Sequence, residues 1–406
     1  MKTVIDIANF NADASCLDSD KWLRWLKGGR RSDFYRWLTL YVELEKPVVL
    51  ALTGATAADI AVHNPEAITL INEHLTIFQV LLRPFSHDAA LLRSRSGFAC
   101  NFRLGKMVLE SLFDHVFPAF LPPEFMLTAE QSYFLAEEQV DATFINANRF
   151  QEDIQPRIPK HIYRLKCPLG QSMLCIPVDG DLTYAYLEAL DEGNADQWTK
   201  AVSHMAADTL FLWRDAESTV FFPDGNRREE RWLALEQDIK RRHLPLDLKC
   251  LSASGLGQQR SDQAYLSTYP LHSLMPWLGE SRMQGYIHRL SMAEARLADM
   301  DIYALGLWLF AITSDVLSAV EKTPVPKIFQ PLTSNEKMVE TTLLRCDRGF
   351  EGAECLLMLE NYLALDDGQP LVTSKEAWAS KVQGRHQFLK ALLTAGDLAR
   401  LVKAII

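Results

Sequence analysis

The residues in this chain whose types and spacing suit chemistry are polar side chains that follow apolar, β-branched runs. They are Asn9, Asn11 and Asp13 after the run at 3–7, His87 and Asp88 after Leu81-Leu-Arg-Pro-Phe-Ser, Glu124 after Phe120-Leu-Pro-Pro, and Asp215 with Glu217 after Phe211-Leu-Trp-Arg. Two carboxylates carried by different strands into one cleft suit glycosidic cleavage. One attacks or stabilises the anomeric carbon and the other protonates the leaving oxygen. Each residue also has a plain structural use: Glu124 as a capping or surface carboxylate, Asp215-Ala-Glu217 as an exposed turn, and His87 as a hydrogen-bonded loop residue.

The elements that must position these groups read as βα units around a parallel sheet, because short β-branched runs alternate with helical patterns up to about residue 220. Expected strands are Thr3–Ile7, Val48–Leu52, Thr76–Leu82, Ala119–Leu121, Ala142–Asn146 and Thr209–Trp213, and expected helices include Ser32–Leu44, Pro65–Glu73, Asn101–Leu112 and Ala129–Glu138. Thr128 ahead of Ala129-Glu130-Gln131 predicts a capping box. In parallel α/β architectures the loops at the C-terminal strand ends converge, which is why polar residues there stand out. Tyr163–Pro177, with Pro168-Leu-Gly170 at its centre, reads as an inserted hairpin near 160–180. Arg227–His243 reads as a solvated helix laced with i,i+4 charge pairs. After Ser252-Ala-Ser-Gly-Leu-Gly257 the pattern turns helical, around 281–299, 301–321, 335–346, 352–364 and 384–404, without strands. The expected division is a barrel over 1–250 and a helical domain over 251–406 on the barrel mouth.

With 406 residues, 48% of them hydrophobic, the chain has material for more than one domain. A net charge of −10 lacks the concentrated Lys and Arg that nucleic acid or anionic lipid attract, so neither is an expected partner. The N-terminus has no secretory pattern, and the longest apolar run, near 303–312, falls short of the ~20 residues of a membrane-spanning helix. Seven cysteines, none in a Cys-x-x-Cys pair, point to reduced thiols and a cytoplasmic setting. Oligomeric state does not follow from these features.

The ordered set of short motifs resembles glycoside hydrolase family 57, the α-amylase, glucanotransferase and branching-enzyme group with a seven-stranded (β/α) barrel followed by a helical domain. The likeness is carried by Arg83-Pro-Phe-Ser-His87, Phe120-Leu-Pro-Pro-Glu124-Phe, Trp213-Arg-Asp215-Ala-Glu217, Pro276-Trp277-Leu-Gly followed by Met283-Gln284, and Ala311-Ile-Thr-Ser-Asp315. It implies a retaining α-glycosidase or transglycosylase with Glu124 as nucleophile and Asp215 as general acid/base. It further implies His87, Asn9, Asn11, Glu217, Trp213, Trp277 and Asp315 as substrate contacts, an oligosaccharide or polysaccharide partner, and no cofactor or metal. Opposite protonation states are then required, with Glu124 ionised and Asp215 protonated.

Three departures from the family pattern bear on activity. Asn9-Phe-Asn11-Ala-Asp13 stands where the family usually has His-x-His-Gln-Pro, and asparagine carries no proton or charge at neutral pH. Ala216 replaces a glycine, and Val316 follows Ser314-Asp315 where the family has tryptophan. Two other readings therefore stay open. One is a catalytically inactive glycan-binding or assembly module on the same fold. The other is a metal-dependent deacetylase or mannosidase-like barrel using Asp13, His87 and Asp88.

Overall fold

The computed structural model describes residues 2–10, 19–146, 162–166, 172–205, 209–216, 225–241, 246–247 and 281–314, with short pieces at 355–360, 363, 387–393 and 401. Its centre is one sheet of strands β1 (Lys2–Phe10), β2 (Val48–Leu52), β3 (Phe78–Leu82), β4 (Val116–Phe120), β5 (Ala142–Asn146), β6 (Tyr163–Lys166), β7 (Ser172–Val178), β8 (Thr209–Asp215) and β9 (Leu246–Asp247). The spatial order is β6-β7-β5-β4-β3-β2-β1-β8, with β9 beside the start of β1. Every ladder between neighbours is parallel except β6 with β7. The sheet curls until β8 lies against β7, so seven parallel strands enclose a barrel interior.

Alternation along each strand separates two cores. Ile5, Ile7, Val49, Ala51, Leu81, Phe117, Ala119, Ala142, Phe144, Ile176, Val178 and Phe211 fill the interior, while alternate residues such as Val4, Leu50, Val80 and Leu212 join the core under the outer helices. Strands buried on both faces read as nearly unbroken apolar runs. The outer helices are α1 (Ser19–Leu26), α2 (Asp33–Glu43), α3 (Gly54–His63), α4 (Pro65–Glu73), α5 (Arg95–Leu112), α6 (Ala129–Glu137), α7 (Gly180–Glu192), α8 (Asp196–His204) and α9 (Gly225–Arg241). Their starts are set locally: Ser32, Thr53, Asn64 and Ser94 cap α2 to α5, and Thr128 with Gln131 forms the expected capping box. Two helices follow, α10 (Ser281–Glu294) and α11 (Ile302–Ala311).

Several expectations need correction. β1 runs to Phe10 and β8 to Asp215, because each continues to pair with its neighbour at Asn9↔Asp215. Asn9 and Asp215 therefore lie inside strands rather than in the loops after them. β4 begins at Val116, and α5 begins at Arg95 rather than Asn101. The segment expected to be only an inserted hairpin does form one, β6 with β7, but β7 also pairs in parallel with β5 and is itself a barrel strand. Pro177 concealed this, since it sits within the strand at a position paired with Ile145. α9 is not a wholly solvated helix: Trp232, Leu235, Glu236 and Ile239 are buried. The helix expected over 281–299 stops at Glu294 and is followed by a 3-10 turn at Leu297–Asp299. Within the two late helical patterns, 355–360 and 387–392 are helical, whereas 335–346 lies outside the described residues.

One glycine shows how the site-bearing loop is seated. A Cβ on Gly105, in the middle of α5, would lie 2.3 Å from the Arg83 carbonyl oxygen, 2.4 Å from the Pro84 carbonyl carbon and 2.5 Å from the Phe85 nitrogen. Helix propensity alone makes Gly→Ala favourable by about 1 kcal/mol. Here backbone blocks the added methyl, so Gly105→Ala is expected to destabilise the protein by about 3 kcal/mol. A raised or unchanged urea midpoint would contradict that close approach.

Candidate active site

The mouth of the barrel is built from the last residues of β1, β3, β4 and β8. Asn9 follows Ile5 and Ile7 on the interior face, and Asp215 follows Phe211 and Trp213 on the same face of β8. The two are register partners, and Asn9 Nδ2 donates to Asp215 Oδ1 at 2.8 Å. Asn9 is 2% exposed, and its own Oδ1 has no hydrogen-bond partner among the described residues. A proton carried by Asp215 for an acid role would sit on Oδ2, because Oδ1 already accepts from Asn9.

Glu124 is held differently. Pro122 and Pro123 lead into a tight turn in which Phe125 N donates to the Pro122 carbonyl and Met126 N to the Pro123 carbonyl. Glu124 and Phe125 both adopt left-handed backbone, at φ 52° and 57°. For residues with side chains this costs on the order of 1–2 kcal/mol each and persists where the surroundings over-determine it. Arg83, buried at the end of β3, donates to the Leu121 carbonyl at 2.6 Å and so ties the turn to the neighbouring strand. Phe125 then meets Trp213 edge-on, with ring centroids 5.4 Å apart. That contact joins the Glu124 turn to the strand ending in Asp215.

His87 comes from the loop after β3, and α5 holds that loop. Asn101 accepts from the Ser86 amide at 2.8 Å and donates to the Ser86 carbonyl at 3.1 Å. The His87 Nδ1 lies 2.9 Å from Ser314 Oγ and 3.9 Å from Glu124 Oε1, and Ser314 Oγ is 3.4 Å from Glu124 Oε1. Burial, and then the positive charge of Arg83, hold the His87 imidazole well below its ordinary pKa, while a hydrogen bond to its own backbone carbonyl opposes them. The His87–Glu124 contact is thus between a neutral ring and a carboxyl group, not an ion pair.

The same loop is fastened to the helical part. Asp88 forms a β-bridge with Thr313, and Glu294 of α10 pairs with Arg93 and accepts from Ser94 Oγ at 2.7 Å. Neither Asp88 oxygen has a hydrogen-bond partner among the described residues. Burial pushes the Asp88 carboxyl up to about 7; Arg93 and Asn101 oppose the rise and Glu294 adds to it. A carboxyl whose folded pKa is raised keeps its proton after the unfolded chain has lost its own, so stability falls as pH rises from about 4 to about 7. Asp88→Asn removes this loss. Its advantage over wild type is expected to grow by on the order of 3 kcal/mol between pH 5 and pH 8. Denaturant midpoints at both values check this, and an equal wild-type midpoint at both would contradict it.

Of the residues singled out by sequence, the structure brings Asn9 together with Asp215, and His87 together with Glu124, at one mouth lined by Trp213. Asn11, Asp13, Glu217, Trp277 and Asp315 lie outside the described residues. Among the described residues, no three His, Cys, Asp or Glu side chains are placed to share a metal ion. Also among the described residues, no helix is long and apolar enough to cross a membrane. Sequence reasoning missed Arg83, Asn101 and Ser314. Arg83 carried a readable signal, an arginine in phase with the inward face of an apolar strand, whereas Ser314, although inside the Ala311–Asp315 motif, meets His87 across 227 residues, a contact no local pattern marks.

No protein-family profile and no curated protein matches the sequence. Solved structures do match the fold. A GH57-type branching enzyme from Pyrococcus horikoshii superposes with a TM-score of 0.64 at 10% identity, over 99% of this chain and 97% of that one. The α-amylase AmyC of Thermotoga maritima gives 0.62 at 9% identity, over 99% of each chain. The 4-alpha-glucanotransferase of Thermococcus litoralis gives 0.59 at 12% identity, over 78% of this chain and 56% of that one, so this chain spans little more than half of that enzyme's length. The chain has the seven-stranded (β/α) barrel fold of these proteins.

Proposed function

We propose that the protein is a carbohydrate-active enzyme that cleaves or transfers α-linked glucan or a related oligosaccharide with retention of anomeric configuration. The observation that carries this reading is the placing of two carboxylates on one barrel mouth. Glu124 is forced there on a left-handed turn at the end of β4, and Asp215 ends β8 in register with Asn9. The names of the structures sharing the fold, an amylase, a branching enzyme and a glucanotransferase, support the substrate class.

In this mechanism a Glu124 oxygen attacks the anomeric carbon as the glycosidic bond breaks, and Asp215 gives its proton to the leaving oxygen. Asp215 then takes a proton from water or from an acceptor sugar hydroxyl, whose oxygen displaces Glu124 and restores both groups. Asn9 holds Asp215 in place. Asn11, Glu217, Trp277 and Asp315 are proposed to complete the sugar contacts, and the helical portion from about residue 251 to complete the cleft. The buried cysteines Cys100, Cys175 and Cys355 fit a cytoplasmic enzyme.

A binding-only reading has one observation in its favour: the Asn9 amide donates to Asp215 Oδ1, an arrangement suited to a carboxylate rather than to an acid. Incubation with maltooligosaccharides, followed through the anomeric protons of the first product, separates the two. Retention predicts the α-anomer first. The β-anomer first would exclude the covalent mechanism, and saturable binding without turnover would favour the binding module.

A further inference from the structure

Residue 97, in the first turn of α5, is a glycine, and the group lying over it explains why. A Cβ there would meet the Glu294 carboxyl group, 2.7 Å from its carbon and 2.8 Å from each oxygen, so the carboxyl lies nearly face-on where a methyl would stand. Donors surround that carboxyl. Arg93 donates to Oε1, and the Ser94 amide and hydroxyl donate to Oε2 at 3.0 and 2.7 Å. The Ser94 hydroxyl oxygen accepts in turn from the Gly97 amide at 3.1 Å. A helix N-terminus favours an anion, and this one adds the buried guanidinium of Arg93, whose Nε and Nη2 have no hydrogen-bond partner among the described residues.

The carboxylate is the last side chain of α10 and reaches Ser94 across 200 residues. The loop it fastens is the one that presents His87. Asn101, one turn beyond Gly97 on α5, holds Ser86 through both its amide and its carbonyl. At the end of α11, Thr313 bridges to Asp88 and the Ser314 amide donates to the His87 carbonyl at 2.7 Å. Residues 86–94 are therefore tied to the helical part in two places, by Glu294 at 93–94 and by the end of α11 at 87–88.

We propose that the N-terminus of α5 is a carboxylate-binding site filled by Glu294, and that Glu294 is a positioning residue whose seating keeps His87 beside Glu124. The effect on substrate rests on the proposed function; the clasp itself does not.

Gly97→Ala separates the clasp from ordinary packing, because what blocks the methyl is the end of a side chain rather than backbone, and the methyl expels it. In the wild-type background this change is expected to lower the urea midpoint. In Glu294→Ala the carboxyl group is gone, alanine is the better helix former, and the same change is expected to raise the midpoint. The same sign in both backgrounds overturns the carboxylate site. Acetate supplies the heavy atoms that Glu294→Ala removes. Hydrogen exchange across 86–94 and at Ser314 is expected to quicken in Glu294→Ala while the barrel strands keep their protection. Sodium acetate should restore it, and acetamide, which has the shape without the charge, should not. A uniform rise across the barrel, or equal effects of acetate and acetamide, overturns the positioning role.

Glu294→Gln keeps the volume and serves should the alanine variant fail to fold. On an α-glucan it is expected to raise KM about ten-fold with kcat within about two-fold of wild type, because bound substrate reseats His87. A fall in kcat with KM unchanged, the mark of a smaller folded fraction, overturns the positioning role. Sign reversal and rescue by acetate in a protein without turnover leave the clasp standing and remove only the proposed function.

Discussion

Glu124→Gln is expected to lower kcat on an α-glucan by about 10^4-fold while leaving the denaturation midpoint unchanged. The substitution keeps the size of the side chain and its place on the turn, so Pro122-Pro123, the Arg83 bond to Leu121 and the Phe125–Trp213 contact have no reason to move. What is lost is the charged oxygen that, in the proposed mechanism, forms the bond to the anomeric carbon. Glu124→Gly sharpens the result. Glycine adopts φ 52° without strain and opens a gap beside the sugar. Added azide is then expected to attack the anomeric carbon of an activated α-glycoside, expelling its leaving group and giving the β-glycosyl azide. Wild-type rates in the glutamine variant would remove Glu124 from the nucleophile role. Loss of activity with a lowered midpoint would make its role structural.

The second large effect concerns stability. On the outer face of the sheet, Arg214 donates to both oxygens of Asp6, at 2.9 and 3.1 Å, and also to Tyr41 Oη. Lys46 joins Asp6 at 3.0 Å to Glu236 of α9 at 2.5 Å, and Tyr186 of α7 donates to the same Glu236 oxygen at 2.6 Å. Two cations balance two anions, and all four are buried. Burial pushes the Asp6 carboxyl up, but Arg214 and Lys46 overcome it and hold the group at about 2.

Arg214→Met leaves Asp6 with half its compensation in a dry site, and breaking a buried pair from one side costs about 3–5 kcal/mol. The variant is expected to lose that much in denaturant titrations near neutral pH. Arg214 also precedes Asp215 and locks β8 to β1, so catalysis should fall with stability, because the Asn9–Asp215 register depends on the same ladder. A loss below about 1 kcal/mol, the size usual for exposed pairs, would show that water reaches the cluster.

The parts of this molecule that sequence made legible are those governed by short-range patterns. The β-branched runs at 48–52 and 142–146 became strands with those bounds, and Thr128 with Gln131 became a capping box. The seventh barrel strand was hidden because Pro177 and the neighbouring hairpin argued for an insertion, and only pairing with β5 makes Ser172–Val178 part of the barrel. Asp6 and Arg214 are charges in otherwise apolar strands, but their partners Lys46, Tyr41, Glu236 and Tyr186 come from elements far apart in the chain, so no local pattern marks the cluster. Glu124 was visible through its two prolines, whereas its left-handed backbone and its bond from Ser314 are products of packing.

The most direct test of the central claim is the mass of the peptide containing Glu124 after brief exposure to a fluorosugar α-glycosyl fluoride, whose intermediate forms faster than it hydrolyses. A retaining site predicts that this peptide alone gains one glycosyl unit, that the Glu124→Gln protein gains none, and that Asp215→Asn still becomes labelled because fluoride leaves without a proton. A label on any other residue, or turnover of the reagent with Glu124 unmodified, would contradict it.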